Sequence, residues 1–169
     1  RDGEEQAVLA AYRGLKARFP GLLLVLVPRH PERFAGVARL CRSEGFIIAL
    51  RSAQPPVLDP ATDILVGDSM GELPLFYAAA DVAFVGGSLV NSGGHNVLEA
   101  SAVGVPVVFG PYMFNFADIS RLTLERGAGR QVADVAGLSA AVAEYLADPA
   151  RRQAAGEAGR RMVEENRGA

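Results

Sequence analysis

The stretch Asp81–Phe116, DVAFVGGSLVNSGGHNVLEASAVGVPVVFGPYMFNF, decides how this chain is read. It opens with a short apolar run, Val82–Val85, of the kind that fills the middle of a parallel sheet. Gly86, Gly87 and Ser88 follow, and after a gap Gly93, Gly94, His95 and Asn96. Glycines take up positive φ and let a backbone approach a ligand closely. The pattern predicts a helix beginning at His95 or Asn96, whose N–H groups point back at the loop and suit an anion, phosphate above all. Asn96 and Glu99 are three apart, which places both on one face of the first helical turn. A carboxylate beside a phosphate site suits ribose hydroxyls. Gly104–Val105–Pro106 then turns into a second buried strand, Val107–Phe109. Together these residues point to a nucleotide or nucleotide-sugar site. In the competing reading the glycines serve only a tight strand-to-helix turn, His95 caps the helix and Glu99 forms an ordinary salt bridge.

Upstream, Asp2 with Glu5 makes an Asp version of the capping box, and Val8, Tyr12, Leu15 and Phe19 recur at helical spacing. Pro20–Gly21 ends that helix, and Leu22–Val27 (LLLVLV) reads as a strand covered on both faces. Pro28 stops it, so Pro28, Arg29 and His30 stand at its carboxyl end, where ligands bind in doubly wound sheets. Arg29 offers a planar fork of donors suited to a base or a phosphate; the bland alternative is a solvent-facing loop. Phe34, Val37, Ala38 and Cys41 form the stripe of the next helix, and Cys41 reads as inert core packing. Phe46–Leu50 is a strand, Ser52–Pro60 a Pro-rich loop and Asp63–Gly67 another strand. Asp68, Ser69, Met70, Gly71 and Glu72 follow that strand. Met70 could pack on a flat ring, and Asp68 or Ser69 could instead cap the helix running to Ala79.

Downstream, Tyr112, Phe114 and Phe116 alternate in the loop Gly110–Phe116, where they either stack on a ligand or simply pack. A helix is expected over 115–125, a strand at Gln131–Ala133 after the turn Gly127–Gly129, a helix over 135–146 and a closing helix from Asp148–Pro149 to Asn166. Strands and helices alternate about six times with short links. That is the signature of an α/β fold, a Rossmann-like parallel sheet with helices on both faces.

The totals narrow the function classes. At 169 residues the chain has the size of one domain with a real core. A net charge of −2 implies no basic surface for nucleic acid. One cysteine excludes an internal disulfide framework and fits a reducing compartment. No apolar run approaches the roughly 20 residues that span a bilayer. There is no GxGxxG after a strand, no GxxxxGK[ST] and no GxSxG. Two scattered histidines and one cysteine argue against zinc, and no carboxylate pair of the glycosidase kind stands out. Both ends read as cut, Arg1 within a turn and Ala169 just past a helix, as in a piece of a longer protein.

Four ordered segments, PRHPERF (Pro28–Phe34), GDSMGEL (Gly67–Leu73), FVGGSLVNSGGHNVLEA (Phe84–Ala100) and FGPYMFNF (Phe109–Phe116), resemble the Kdo transferase family, the 3-deoxy-D-manno-octulosonic acid transferases of lipopolysaccharide synthesis. The resemblance covers essentially the whole chain and corresponds to the carboxyl-terminal half of such an enzyme. It implies one half of a GT-B glycosyltransferase: residues 1–169 as a single domain that binds the donor CMP-Kdo and releases CMP. The amino-terminal acceptor domain, with the lipid A precursor site and the catalytic carboxylate, is absent, so no catalytic residue is expected here. By the same resemblance Pro28 and Arg29 are cytosine contacts. Met70, Gly71 and Glu72 are a second segment around the nucleotide. Asn96, Val97, Leu98 and Glu99 serve ribose and phosphate, with Ser88, Gly93, Gly94 and His95 in the adjoining loop. No cofactor and no metal are expected. The parent enzyme would work at the cytoplasmic face of a Gram-negative inner membrane, any membrane contact being made by the full-length protein.

The chain departs from the family pattern at Asn91–Ser92, where Pro-Leu is expected, at Val97, where Pro is expected, and at Ala100–Ser101, where Pro-Ala is expected. Gly93, Gly94, Asn96 and Glu99 are untouched by these changes. Arg1–Glu4 resembles the segment just after the domain's first strand, which the chain then lacks. Two alternatives are a GT-B half that uses a UDP-sugar and a non-catalytic nucleotide-binding module. A third is a plain α/β domain that binds no nucleotide.

Overall fold

The computed structural model describes residues 3–53 and 57–168. Asp2, read above as a helix cap, the Arg1–Asp2 part of the first turn, and Pro55–Pro56 of the Pro-rich loop lie outside the described residues. The chain divides into two compact units, Tyr12–Phe76 and Arg1–Ala11 with Tyr77–Ala169. Each holds its own three-stranded sheet, and every strand pair is parallel.

In the unit Tyr12–Phe76 the strands are β1 (Leu24–Leu26), β2 (Ile48–Leu50) and β3 (Ile64–Val66), in the order β1-β3-β2. The second half of α1 (Glu4–Arg18) and α2 (Phe34–Ser43) cover them. Ile64 and Val66 of the central strand are fully buried, with Tyr12 and Leu15 from α1 and Val37, Ala38 and Cys41 from α2. The strand at Leu22–Val27 was expected to be covered on both faces. It is instead an edge strand of three half-buried residues, with Leu23 exposed. Tyr12 fixes α1 to the strand ends: its hydroxyl shares its proton between the carbonyls of Leu22 and Asp63, each at 2.7 Å. Pro31 opens one 3-10 turn, Pro31–Arg33, before α2, as a proline at the first helical position should.

α3 (Leu73–Ala79) leads into the other unit, where β4 (Ala83–Phe84), β5 (Val107–Phe109) and β6 (Gly129–Gln131) stand in that order. Between and after them come α4 (Leu98–Ala102), α5 (Ala117–Glu125), α6 (Val135–Ala147) and α7 (Pro149–Gly168). β5 shows why its sequence is apolar without alternation. Val107 and Phe109 enter a cluster with Ala83, Val85, Val97, Ala100 and Met113. Val108 points the other way, against Leu138, Ala141, Tyr145 and Ala155. Each such side chain contributes about 2 kcal/mol by leaving water. The last strand is displaced from the expected Gln131–Ala133 to Gly129–Gln131. Gly129 pairs with Val107, and a Cβ there would run into the Val107 carbonyl. The glycine marks a close approach within the sheet. α6 is capped by Asp134, whose Oδ1 accepts from the Gly137 N–H at 2.9 Å.

Candidate functional site

Because its three strands are parallel, the unit Tyr12–Phe76 gathers the ends of β1, β2 and β3 on one edge. The predicted residues Pro28, Arg29, Met70, Gly71 and Glu72 all fall there. Gly67 is the closest point: a Cβ would lie 2.9 Å from both Val27 and Phe76, so the chain leaves β3 only as glycine. Carboxylates then pin the loop at both ends. Asp68 Oδ1 accepts from the Ser52 N–H at 2.7 Å and Oδ2 from the Ser52 hydroxyl at 2.6 Å. Glu72 receives Arg51 Nε at 3.1 Å and Nη2 at 3.0 Å, and the Ser69 hydroxyl also donates to it. The Arg51 bonds, then that of Ser69, hold the Glu72 carboxyl below the usual carboxylate range. Asp68 and Ser69 thus bind Ser52 and Glu72. Between the pinned ends, Met70 is 68% exposed and Gly71 has φ +78°. Arg29 is exposed and Pro28 half-buried.

The other unit carries the remaining predicted residues on the carboxyl edge of its own sheet. From β4 the chain turns at Gly86 and Gly87, and returns through Gly93 and Gly94, with the Gly94 N–H donating to the Gly87 carbonyl at 2.9 Å. Gly93 and Gly94 have φ +88° and +78°. Side chains there would strike Asn115 and Phe114 in one case and Met113 in the other. The loop 110–116 is sewn to this one: Tyr112 N–H to Ser88 O at 2.9 Å and Asn115 N–H to Gly93 O at 3.2 Å. Ser88 is fully buried. Its hydroxyl donates to Val85 O at 2.6 Å and accepts from the Gly110 N–H at 2.8 Å. The hydroxyl therefore serves the loop junction. Met113 is buried, whereas Tyr112 and Phe114 are exposed, Phe114 at 60%.

The backbone N–H groups of Gly87, Ser88 and Leu89 converge on one acceptor, the Glu4 carboxylate, at 2.8, 3.1 and 3.1 Å. The Gly86–Gly87–Ser88 turn thus folds its N–H groups around a carboxylate of the chain itself. The expected helix start at His95 or Asn96 is also displaced. α4 begins at Leu98 and is five residues long. Asn96 stays outside it, its Oδ1 accepting from the Leu98 N–H at 3.0 Å. That local bond competes with helix extension toward the amino terminus. Val97 is fully buried in the core, so only its backbone can face a ligand. Leu98 is half-buried and Glu99 exposed in the first turn. Burial, and then the Glu99 charge, raise the Tyr77 hydroxyl above the usual tyrosine value. The His95 ring packs over Gly86 and Gly87, 3.4 to 3.5 Å from where their side chains would begin.

The family model described as glycosyl transferases group 1 matches residues 58–162, more than half of the chain. The chain belongs to that family. This glycosyltransferase sequence is 45% identical to the 3-deoxy-D-manno-octulosonic acid transferase of Haemophilus influenzae over 99% of its length, and 42% identical to that of Bordetella pertussis over 100%. It spans about two fifths of the length of both relatives (39% and 40%). Its structure is similar to the crystal structure of the C-terminal CMP-Kdo binding domain of WaaA from Acinetobacter baumannii. The TM-score is 0.91 at 34% identity, covering 97% of this chain and 85% of that one. The Rossmann-like α/β architecture is thus that of a GT-B glycosyltransferase half, as the alternation of elements and the family resemblance led one to expect.

Two further residues shape these sheet edges, Arg51 and Glu4. Arg51 directly follows β2, the same placement that drew attention to Arg29 after β1. Glu4 left no local signal, because its partners lie 83 to 85 residues away. Among the described residues no cluster of three His, Cys, Asp or Glu side chains is placed to hold a metal ion, and no helix is long and apolar enough to cross a membrane.

Proposed function

We propose that this chain is the donor-binding half of a glycosyltransferase that moves 3-deoxy-D-manno-octulosonic acid (Kdo) from CMP-Kdo to a lipid A precursor. The observation that carries the reading is the likeness, over nearly the whole of both chains, to a domain described as CMP-Kdo binding. In the reaction, an acceptor hydroxyl oxygen bonds to the anomeric carbon of Kdo while the bond from that carbon to the CMP phosphate oxygen breaks. CMP leaves with the electron pair, and the hydroxyl proton passes to a base. That base, a carboxylate, and the acceptor site belong to the amino-terminal half, so this chain alone binds donor and does not turn over. A sugar-nucleotide donor brings its own leaving group, and the reaction asks for no resident cofactor.

Each sheet edge carries candidate contacts of its own, and the family resemblance gives each its role. Pro28 and Arg29 meet the cytosine, Arg29 through its donors. Met70 offers an exposed apolar face, and Gly71 and Glu72 hold the backbone beneath it. Gly93, Gly94 and His95 shape the approach to Asn96–Glu99, where backbone N–H groups favour the departing phosphate and the exposed Glu99 carboxylate accepts from ribose hydroxyls. The lipid acceptor places the parent enzyme at the cytoplasmic face of the bacterial inner membrane.

Calorimetric titration with CMP, with UMP and UDP as controls, tests the reading. Selective CMP binding that is lost in Arg29→Ala and in Glu99→Ala is the expected outcome. Preference for a uridine nucleotide would move the assignment to a UDP-sugar enzyme. A folded chain, joined to its amino-terminal half, that binds CMP but transfers no Kdo would favour a non-catalytic module.

A further inference from the structure

We infer that Glu4 is a positioning residue for the glycine-rich loop: its carboxylate occupies the backbone anion nest of Gly87–Leu89 and fixes the loop in the shape that receives the donor. The second half of that statement rests on the donor-binding reading; the first does not.

Four facts converge. Glu4 is 6% exposed, and a carboxylate is rarely buried without partners. It accepts three backbone N–H bonds, two on Oε2 and one on Oε1. Successive N–H groups that close on one point form a concavity selective for anions, and a glycine at positive φ is what bends the chain that way. Gly87 supplies it with φ +72°. Glu4 also lies in the first turn of α1, whose own N-terminus favours negative charge.

The loop transmits what happens there. The Gly87 carbonyl accepts from Gly94, and the Ser88 carbonyl accepts from Tyr112. The Ser88 hydroxyl joins Val85 to Gly110, and the His95 ring rests on Gly86 and Gly87. A shift of residues 87–89 is thus passed to 93–95 and to 110–112. Because its N–H groups are committed to Glu4, the nest does not compete for the donor's phosphate, which is left to the segment leading into α4. A neutral amide cannot replace Glu4: glutamine offers one acceptor oxygen, and its NH2 group would face N–H donors.

The test uses Glu4→Ala, Glu4→Gln and Glu4→Asp in the 169-residue chain, read by CMP calorimetry and by amide exchange and chemical shifts at Gly87, Ser88 and Leu89. In E4A and E4Q, CMP affinity is expected to fall by about tenfold or more, on the scale of a lost charge-assisted hydrogen bond, and exchange at the three amides to quicken. Acetate, added to E4A, is expected to shift those three amides and to restore CMP affinity, while leaving the wild type unchanged. Rescue by a small carboxylate is a readout that a general loss of stability does not give. Folded E4A with wild-type CMP affinity, or with no amide response to acetate, overturns the inference. If E4A does not fold, E4Q decides by affinity and amide exchange: wild-type values for both overturn it. If the wild type itself binds no CMP, the donor reading fails, and the nest is still judged by acetate at the three amides.

Discussion

Arg51 and Glu72 form a two-pronged ion pair on the carboxyl edge of the β1-β3-β2 sheet, one nitrogen to each carboxylate oxygen at 3.1 and 3.0 Å. The pair closes the loop on which Met70 and Gly71 stand. Hydrogen bonding to Arg51, and then to Ser69, favours the charged carboxylate and lowers the Glu72 pKa. A carboxyl whose folded pKa is depressed contributes stability above its unfolded pKa, and loses it as pH falls through the folded value. Arg51→Ala is therefore expected to raise the Glu72 pKa toward the ordinary range and to flatten the acid side of the stability profile; Ser69→Ala should do the same to a smaller extent. Carboxyl-carbon NMR titration of Glu72 checks both, and a midpoint unmoved by Arg51→Ala would sink the assignment. Arg51→Lys keeps the charge and loses the second prong, so it should give an intermediate midpoint.

Gly71, Gly93 and Gly94 share positive φ, at +78°, +88° and +78°, but differ in their surroundings. A Cβ on Gly71 meets nothing within 4 Å, whereas one on Gly93 meets Asn115 and Phe114, and one on Gly94 meets Met113. Gly71→Ala thus carries only the backbone term, about 1 kcal/mol. Gly93→Ala and Gly94→Ala add a clash in a buried junction and should cost about 2–4 kcal/mol. Denaturant unfolding of the three variants measures the difference. Equal losses would show that the junction between loops 86–94 and 110–116 yields freely.

How far the sequence foretold this molecule depends on how local each cause is. Val107–Phe109 was legible residue for residue, since a strand buried on both faces needs only apolar side chains. β6 was read two residues late because Gly129 looks like a turn glycine, and only the opposite strand shows that it permits close approach. α4 was read too long, because nothing local says that Asn96 turns its side chain to the Leu98 N–H. The lettering of the glycine loop was plain, and its occupant was not. The spacing of Glu5 from Asp2 is a local capping signal, while the neighbouring Glu4 finds its partners through contacts that only the fold creates.

Two helical glycines should respond in opposite directions. Gly14 lies exposed in α1, with nothing within 4 Å of the place a Cβ would take. Gly14→Ala should stabilise by about 0.5–1 kcal/mol, the ordinary gain in a helix interior. Gly156 lies in α7 where it crosses α4, and a Cβ there would enter the Gly104 carbonyl. The same helical gain of about 1 kcal/mol is then set against overpacking on backbone, about 1–3 kcal/mol, and the helices must part. Gly156→Ala is expected to destabilise on balance, with a lowered thermal midpoint. A raised midpoint would mean that α7 can move off α4 without loss.

At alkaline pH the group to watch is Tyr12. Its ring is 3% exposed, and its hydroxyl proton is shared between the Leu22 and Asp63 carbonyls. Burial, and then the nearby Asp63 charge, push its pKa up to about 12. The raised value means that the folded state keeps the proton when the unfolded chain has given it up. The stabilising contribution is then complete below the ordinary tyrosine value of 10.0 and is lost as pH rises toward about 12. Unfolding free energy measured by denaturant across that window should fall with pH. In Tyr12→Phe the starting stability is lower, because two carbonyls lose a donor, but this part of the slope disappears. If the slope survives the substitution unchanged, another group carries the alkaline transition and the hydroxyl is not the lock between α1 and the strand ends.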